Sequence, residues 1–396
     1  MNGPVLIDKA WKTKAFRTLG LLWIVVGIAF GEQESPRDRL LSQLGGSAPT
    51  PLFQRATPLF LDYVETILSK DGRADLYSAA DRDDFLNRLE RLAGKDLLDL
   101  GEALFAFFEN RIAGTQSSGW ATFEVGPFLV HVRPGSAAES DRVFITESTA
   151  GLALKIADAF ALRKSFETAL KALKPTENGA ALIPVYLHSS RAGEGASRIK
   201  KGSYGAATLG ATIIDQAGKL TFEVHVLYFN VLSLPVLEHE AAHAVLLLST
   251  FDAAALTAKP LKGESDLRQA FFGGYRRLPA FLQEGMGDWA FYYQGFHKGW
   301  GLIPSPDALA AGLYARQQAL PLRDLLAGDA RYAARNRKIF SLQAASFIDF
   351  LRRSEGVGKI YDWLHASESD GLKSFVSVFG RPIEAVEKEW RQALRR

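Results

Sequence analysis

Two histidines and a glutamate are spaced in this chain as two zinc ligands and a general base are spaced on a helix. His239, Glu240 and His243 form the pentapeptide His-Glu-Ala-Ala-His, with apolar residues on both sides. Side chains four residues apart on a helix differ by only about 40° around its axis, so both imidazoles can reach one ion. Glu240 lies beside that face and can accept a proton from a water molecule on zinc, which lowers the pKa of this water to about 7.

The absence of cysteine narrows the chemistry of any metal site. Without cysteine there are no disulfides, no thiolate zinc sites and no cysteine nucleophile, so seven histidines and the carboxylates are the strong ligands. A Gly-x-Ser-x-Gly turn is also absent, which leaves a serine hydrolase without local support. The alternative to a metal site is a coincidental pair of histidines one turn apart in a core helix.

A second segment supplies the residue types that such a site still needs. Glu284 lies in the stretch 278–289 and is followed four residues later by Asp288. An HExxH motif with a later glutamate of this kind resembles the gluzincin clan of zinc peptidases. The setting Pro-x-Phe-Leu-x-Glu-Gly resembles its peptidase MA-like members, and the resemblance covers about residues 220–394. It implies that Glu284 is the third zinc ligand and that Asp288 hydrogen-bonds a ligand histidine, as carboxylates near zinc commonly do.

The sequence departs from the gluzincin pattern in two places. Ser341 stands where the family usually has a tyrosine that hydrogen-bonds the developing oxyanion, and such a donor contributes about 100-fold or more in rate. Candidate replacements are Tyr332, His297 and Tyr293. The gap between the two ligand helices is also longer than in compact gluzincins, so a segment around 259–276 is expected to fold away or to form a lid.

Charge and composition exclude nucleic acid as a partner. The chain has 396 residues, of which 47 are basic and 44 acidic, for a formal net charge of +3. No run of Lys and Arg forms the basic stripe that phosphate contacts require. With 47% hydrophobic residues the chain can bury a large core or several smaller ones, which predicts a globular protein of several lobes.

The first 31 residues have the order of a secretory signal. Lys9, Lys12 and Arg17 precede the uncharged stretch 19–31, and Ala29 and Gly31 lie where a signal peptidase selects small residues. The apolar stretch is shorter than the roughly 20 residues that span a bilayer. The sequence therefore predicts export to the periplasm or the cell exterior, with cleavage near residue 32. An uncleaved N-terminal membrane anchor and a buried helix are the alternatives.

The hydrophobic patterns predict an α+β protein with three lobes after the signal. Residues 32–118 have helical spacing, residues 119–232 alternate strand and helix signals, and residues 233–396 return to helix. By the gluzincin resemblance, the last two would be the lobe pair of a zincin-like metallopeptidase, with the site in the cleft between them.

Composition and alternation predict the structure of two shorter segments before the His-Glu-Ala-Ala-His motif. Residues 191–210 are rich in Gly, Ser and basic residues, which predicts a mobile loop. Residues 220–229 alternate polar and apolar side chains, the period of a half-buried or edge strand. In gluzincins such a strand has a free edge along the cleft, and an extended peptide adds to it.

The leading hypothesis is an exported zinc metallopeptidase with a peptide or protein substrate. The missing tyrosine favours a second one, a non-catalytic module that keeps the fold and binds a peptide or a cell-envelope partner. A zinc hydrolase of a non-peptide amide or ester is the third. The other histidines, His131, His188, His225 and His365, lack ligand spacing and are predicted to be packed or surface residues.

Overall fold

The computed structural model describes residues 34–111, 119–172, 182–192, 196–199, 203–214, 217–250, 278–366 and 371–395. The predicted signal segment and the predicted insertion at 259–276 lie outside these residues. The described part is an α+β fold, mostly helical, with one five-stranded mixed sheet.

Five helices precede the sheet within residues 34–111. The first four begin at Ser35, Thr50, Ser69 and Asp81, whose side chains each accept a hydrogen bond from the backbone N–H three residues later. These residue types are the strongest N-caps, because they satisfy donors that the helix itself leaves open. The helices are α1 (Pro36–Gly45), α2 (Pro51–Ile67), α3 (Lys70–Tyr77), α4 (Arg82–Ala93) and α5 (Leu97–Arg111).

The sheet is built from residues that alternate between two faces. Val130, Val185 and Val224 are paired across neighbouring strands and are almost fully buried. Such alternation gives a sheet one apolar face on which helices can pack. The strands are β1 (Ala121–Val125), β2 (Phe128–Val132), β3 (Ile183–His188), β4 (Gly205–Ile214) and β5 (Ala217–Leu227). Between β2 and β3 lie α6 (Ala137–Ser140), α7 (Arg142–Thr149), α8 (Leu152–Ala159) and α9 (Arg163–Ala172).

The strand order β1-β2-β3-β5-β4 corrects two predictions. The strand at 220–229 does not have a free edge, because β5 pairs in parallel with β3 and antiparallel with β4. Among the described strands the edge on that side is β4, which begins at Gly205 inside the segment predicted to be a mobile loop. Composition misled here because β4 and β5 form a long antiparallel hairpin, and its ladder stabilises Gly-rich backbone that would otherwise favour a loop.

The described residues after the sheet are helical, as predicted. The first helix, α10 (Leu234–Ser249), follows directly on a 3₁₀ turn, and the combined stretch Val231–Ser249 is long and apolar enough to cross a membrane, but 83% of that window is buried inside the protein. It is the central helix of the core and contacts the sheet as well as α8 and α9. The others are α11 (Ala280–Tyr293), α12 (Phe296–Trp300), α13 (Pro306–Ala315), α14 (Leu322–Ala327), α15 (Ala330–Arg335), α16 (Arg337–Ser354), α17 (Val357–Ala366), α18 (Gly371–Phe379) and α19 (Ile383–Ala393).

Two glycines let α11 pack closely between α10 and α16. A Cβ added to Gly287 would lie 2.6 Å from Cε1 of His239 on α10. A Cβ added to Gly285 would lie 2.6 Å from Cδ1 of Ile348 on α16, and 2.9 Å from Cβ of Ala344. Real Cβ atoms do not come so close to other atoms, so larger residues would push these helices apart. Gly287 therefore permits the close approach of the two helices that carry the predicted ligands, and Gly285 permits that of α11 and α16.

Candidate metal centre

The structure brings His239, His243 and Glu284 together. One ligand atom from each lies within 4.8 Å of the other two, the single such cluster among the described residues. The two histidine Nε2 atoms are 2.9 Å apart, and Oε2 of Glu284 lies 3.6 Å from Nε2 of His239. Two ligand atoms about 2.1 Å from one tetrahedral ion are roughly 3.4 Å apart, so these separations suit a single zinc.

The short contact between the two imidazoles requires a hydrogen atom or a metal ion between their Nε2 atoms. Two ring nitrogens that face each other with lone pairs repel, so either a proton or a metal ion lies between them. Burial would lower the pKa of His239, but the hydrogen bond with Asp288 and the nearby carboxylates outweigh it and raise that pKa to about 9. Burial and the neighbouring His239 lower the pKa of His243 to about 4. Without metal, His239 therefore holds the proton, and metal binding must release it.

The carboxylate of Asp288 contacts the ring of His239 on the side away from the ligand cluster. Its Oδ1 is 2.8 Å from Nδ1 of His239. Since Glu284 and Asp288 are one turn apart on α11, they meet the same histidine from one helix face. A carboxylate on Nδ1 keeps the Nδ1 proton in place and turns Nε2 toward the ligand cluster, which is the usual arrangement for a metal-binding histidine.

Glu240 is close to the cluster but outside it. Its side chain is buried, with 8% exposure, and lies against the first residue of β4. A Cβ added to Gly205 would be 2.7 Å from Oε1 of Glu240, so only glycine fits between the strand and this carboxylate. Glu240 therefore lies beside the start of β4 and follows the ligand candidate His239 in the chain, which is a suitable place for a proton acceptor.

A cavity of about 810 Å³ opens onto these residues. The polar lining residues include His239, Glu240, Asp288 and Ser341, and the charged residues Lys95, Asp99, Arg337 and Lys338 line the cavity as well. Most of the other lining residues are apolar, and many of them come from α5 in the N-terminal helical segment. Ligand sites are typically concave and apolar, with a few convergent polar groups, and this cavity has that composition.

The three predicted oxyanion donors do not line this cavity. The hydroxyl of Tyr293 donates to Asp307 at 2.9 Å. His297 is buried against the rings of Phe291 and Tyr292, and burial lowers its pKa to about 4. The Tyr332 ring packs near Phe340. Ser341, by contrast, does line the cavity.

Two tyrosines that the sequence analysis missed line the cavity instead. Tyr292 follows Asp288 by one helical turn, and Tyr204 immediately precedes β4. Burial and the negative charge of Asp288 raise the pKa of Tyr292, so its hydroxyl stays protonated at neutral pH. The i, i+4 spacing from Asp288 is a signal that could have identified Tyr292. Nothing in the local sequence marks Tyr204.

The residues flanking the motif have structural contacts. Glu238 is fully buried and accepts hydrogen bonds from the backbone N–H of Phe296 and from the hydroxyl of Ser148, which ties α10 to α12 and α7. His188 and His225 are buried on the sheet, with ring nitrogens 3.0 Å apart. They lie on β3 and β5 and do not join the ligand cluster.

Comparisons with protein-family models, curated proteins and solved structures found no match to this chain. The class is therefore defined by fold and site alone. It is an α+β protein with a His-His-Glu cluster on two packed helices, a carboxylate behind one histidine, and a cavity in front.

Proposed function

We propose that this protein is a zinc-dependent peptidase of the gluzincin type that works outside the cytoplasm. The observation that carries the proposal is the convergence of His239, His243 and Glu284 within 4.8 Å, with Asp288 hydrogen-bonded to the first of them. The donor set fits zinc, because two imidazoles and one carboxylate leave a fourth position open, as catalytic zinc sites do. The N-terminal sequence signal supports the extracytoplasmic location.

The chemistry divides between the ion and the chain. Bound zinc would supply Lewis acidity, which polarises a carbonyl and makes a water molecule more acidic. Glu240 accepts the proton of the attacking water and passes it to the leaving nitrogen. The C–N bond then breaks with a neutral amine, and not an amide anion, as the leaving group. Asp288 keeps His239 in the tautomer that presents Nε2.

The arrangement of the sheet supports a peptide as substrate. In this proposal the sheet and the helices after it are the two lobes of a zincin-like fold, and β4 is the strand beside the cleft. Gly205 at the start of β4 lies against Glu240, and the outer edge of this strand has unpaired backbone groups among the described strands. An extended peptide can add to such an edge through backbone hydrogen bonds. Because these bonds do not depend on the side chains, they predict only modest preference for particular residues in the peptide.

The direct test is metal-dependent hydrolysis of a mixed peptide library. Protein purified with about one zinc per chain should cleave peptides, and removal of the ion with a chelator should abolish cleavage. Adding back one equivalent of zinc should restore it. The products are identified by mass spectrometry. If zinc-loaded protein cleaves no peptide in the library, the peptidase proposal is wrong.

Tyr292 is proposed to donate the hydrogen bond that the family tyrosine would otherwise supply. Its phenol lines the cavity and remains protonated. Tyr292→Phe should lower kcat by about 100-fold while zinc content stays unchanged, since a lost oxyanion donor costs about that much. The matched control is Tyr293→Phe, which removes the neighbouring hydroxyl that is bonded to Asp307 and should leave kcat within a few-fold of wild type. Equal kcat losses in the two variants would contradict the assignment.

A binding module is the second candidate function, and one observation favours it. Ser341 lines the cavity at the position of the missing tyrosine, and the three donors predicted from the sequence do not line it. A protein of this kind would hold a peptide or envelope ligand without cleaving it. Hydrolysis of a non-peptide amide or ester would use the same residues as the peptidase, and the library test is extended to such substrates for that reason.

A further inference from the structure

One face of α5 forms the wall of the cavity opposite the metal centre. Asp99, Ala103 and Ala106 of this helix line the cavity, and so do the five residues Leu97, Leu98, Gly101, Leu104 and Phe105. Their spacing of i, i+1, i+4, i+7 and i+8 places them along a single apolar stripe. The N-terminal helical segment, for which the sequence showed no chemical role, therefore encloses the same space into which His239 and Glu240 face.

Contacts on both sides of the cleft hold α5 in this position. Near its start, Asp99 forms an ion pair with Lys338 at the beginning of α16. Near its middle, the ring of Phe105 stacks on Tyr204 with centroids 4.9 Å apart. Near its end, Glu109 accepts a hydrogen bond of 2.5 Å from Arg191, just after β3. The wall is thus attached both to the C-terminal helices and to the sheet.

Part of the cavity lining outside α5 is also apolar. Phe296, Trp300, Ile303 and Leu309 form this part, and the indole N–H of Trp300 is already bonded to the hydroxyl of Thr57. This region offers a bound molecule hydrophobic contact and little hydrogen bonding. An apolar group that leaves water for such a pocket gains free energy roughly in proportion to its buried area.

Gly101 keeps the cavity wide at the wall. A glycine inside a helix weakens the helix relative to alanine, so its presence in α5 calls for a reason. A Cβ built at Gly101 meets no atom of the described residues within 4 Å. The space in front of this residue is therefore cavity rather than packed protein, and any side chain there would project into it.

We infer that the cavity is the specificity pocket of the enzyme, that it takes a large apolar side chain next to the scissile bond, and that Gly101 sets the size it accepts. The inference rests on the proposed function, because the catalytic groups and the apolar wall line one continuous space. At about 810 Å³ the cavity is in the upper part of the usual range for ligand pockets, so it can hold a bulky side chain together with part of the peptide backbone.

The test compares Gly101→Leu with wild type on peptides that differ at one residue beside the cleaved bond. The series carries Ala, Leu, Phe or Trp there. Wild type should prefer the large residues. In Gly101→Leu the ratio of kcat/KM for Phe over Ala should fall at least about tenfold, the discrimination that small volume changes in an apolar pocket produce. Zinc content should not change.

Gly358→Leu is the matched control. Gly358 is also helical, lies in α17, is exposed, and has no atom within 4 Å of its built Cβ. It does not line the cavity, so the substitution should leave the Phe-over-Ala ratio at the wild-type value. The control separates filling the pocket from the general effect of replacing a helical glycine with leucine.

The outcomes distinguish this inference from the proposed function. If peptides are cleaved but wild type prefers Ala, or Gly101→Leu keeps the wild-type ratio, the pocket assignment is overturned and the peptidase stands. If zinc-loaded wild type cleaves nothing, the peptidase proposal fails. Binding of the same peptides to wild type and to Gly101→Leu, measured by fluorescence anisotropy, then tests the pocket alone. The pocket assignment is supported if wild type binds Phe peptides more tightly than Ala peptides and Gly101→Leu does not. It is overturned if wild type binds the two peptides equally well.

Discussion

Replacing Glu240 with glutamine is expected to reduce peptide hydrolysis by about 10² to 10⁴-fold while the protein keeps its zinc. Glu240 lies outside the ligand cluster, so its charge is not needed to hold the ion. Glutamine has nearly the same size, which matters because a Cβ at Gly205 would come within 2.7 Å of the Glu240 side chain. The substitution removes the proton acceptor without disturbing this packing. The loss should appear in kcat, since proton transfer belongs to the chemical step.

Three measurements make this result interpretable. Zinc content and thermal stability should match wild type, and Glu147→Gln, an exposed carboxylate on α7, should have no effect on hydrolysis. The same variants are then tested in a cell that lacks the native protein. If Glu240→Gln restores the cellular phenotype fully, and zinc-loaded wild type cleaves no peptide, the binding module replaces the peptidase as the function.

The local geometry of the candidate site could be predicted from the sequence. His239 and His243 share a helix face because of helical periodicity, and Glu284 and Asp288 share another for the same reason. Bringing the two helices together needed more information. The family resemblance supplied it, and the structure shows the physical basis in Gly287, where a side chain would overlap the ring of His239.

The far wall of the cavity could not be predicted in this way. Asp99 and Lys338 are 239 residues apart in the chain, yet their ion pair fixes α5 across the cleft. No periodicity or motif records a contact at that distance. The apolar stripe of α5 was recognised as helical, but a stripe shows only that a helix face is covered, and not by what. Assigning Gly101 a role required the empty space beside it.

The sheet shows another limit of structure prediction from the sequence. The alternation at 220–229 identified a strand correctly, but not its neighbours. Alternation reports that the two faces of a strand differ, whereas the position of a strand within a sheet depends on which other segments pair with it. The partner on its outer side, β4, lies in a stretch whose Gly and Ser content favours a loop when read alone. Strand order therefore had to come from the structure.

Replacing Glu284 with alanine is expected to cause the largest loss of zinc affinity of any single change on α11. The carboxylate is the only negatively charged group in the ligand cluster, and without it two neutral imidazoles would hold the ion alone. Losing a hydrogen-bond partner of a ligand weakens metal binding by about 10- to 100-fold, so the loss of a ligand itself should exceed that range. Zinc content by mass spectrometry and affinity by chelator competition measure the effect.

Because Glu284 is partly exposed, the experiment separates the loss of zinc from a loss of folding stability. The Glu284 side chain is 35% exposed, so alanine leaves no cavity in the core, and metal-free Glu284→Ala should unfold at nearly the same temperature as metal-free wild type. The stabilisation that zinc adds to the wild type should be largely absent, because an ion that binds the folded state weakly stabilises it little. Glu147→Ala, at an exposed helical carboxylate distant in sequence, controls for the loss of charge. Full zinc retention in Glu284→Ala would exclude this residue as a ligand, and the resemblance on which its assignment rests would fail at its third position.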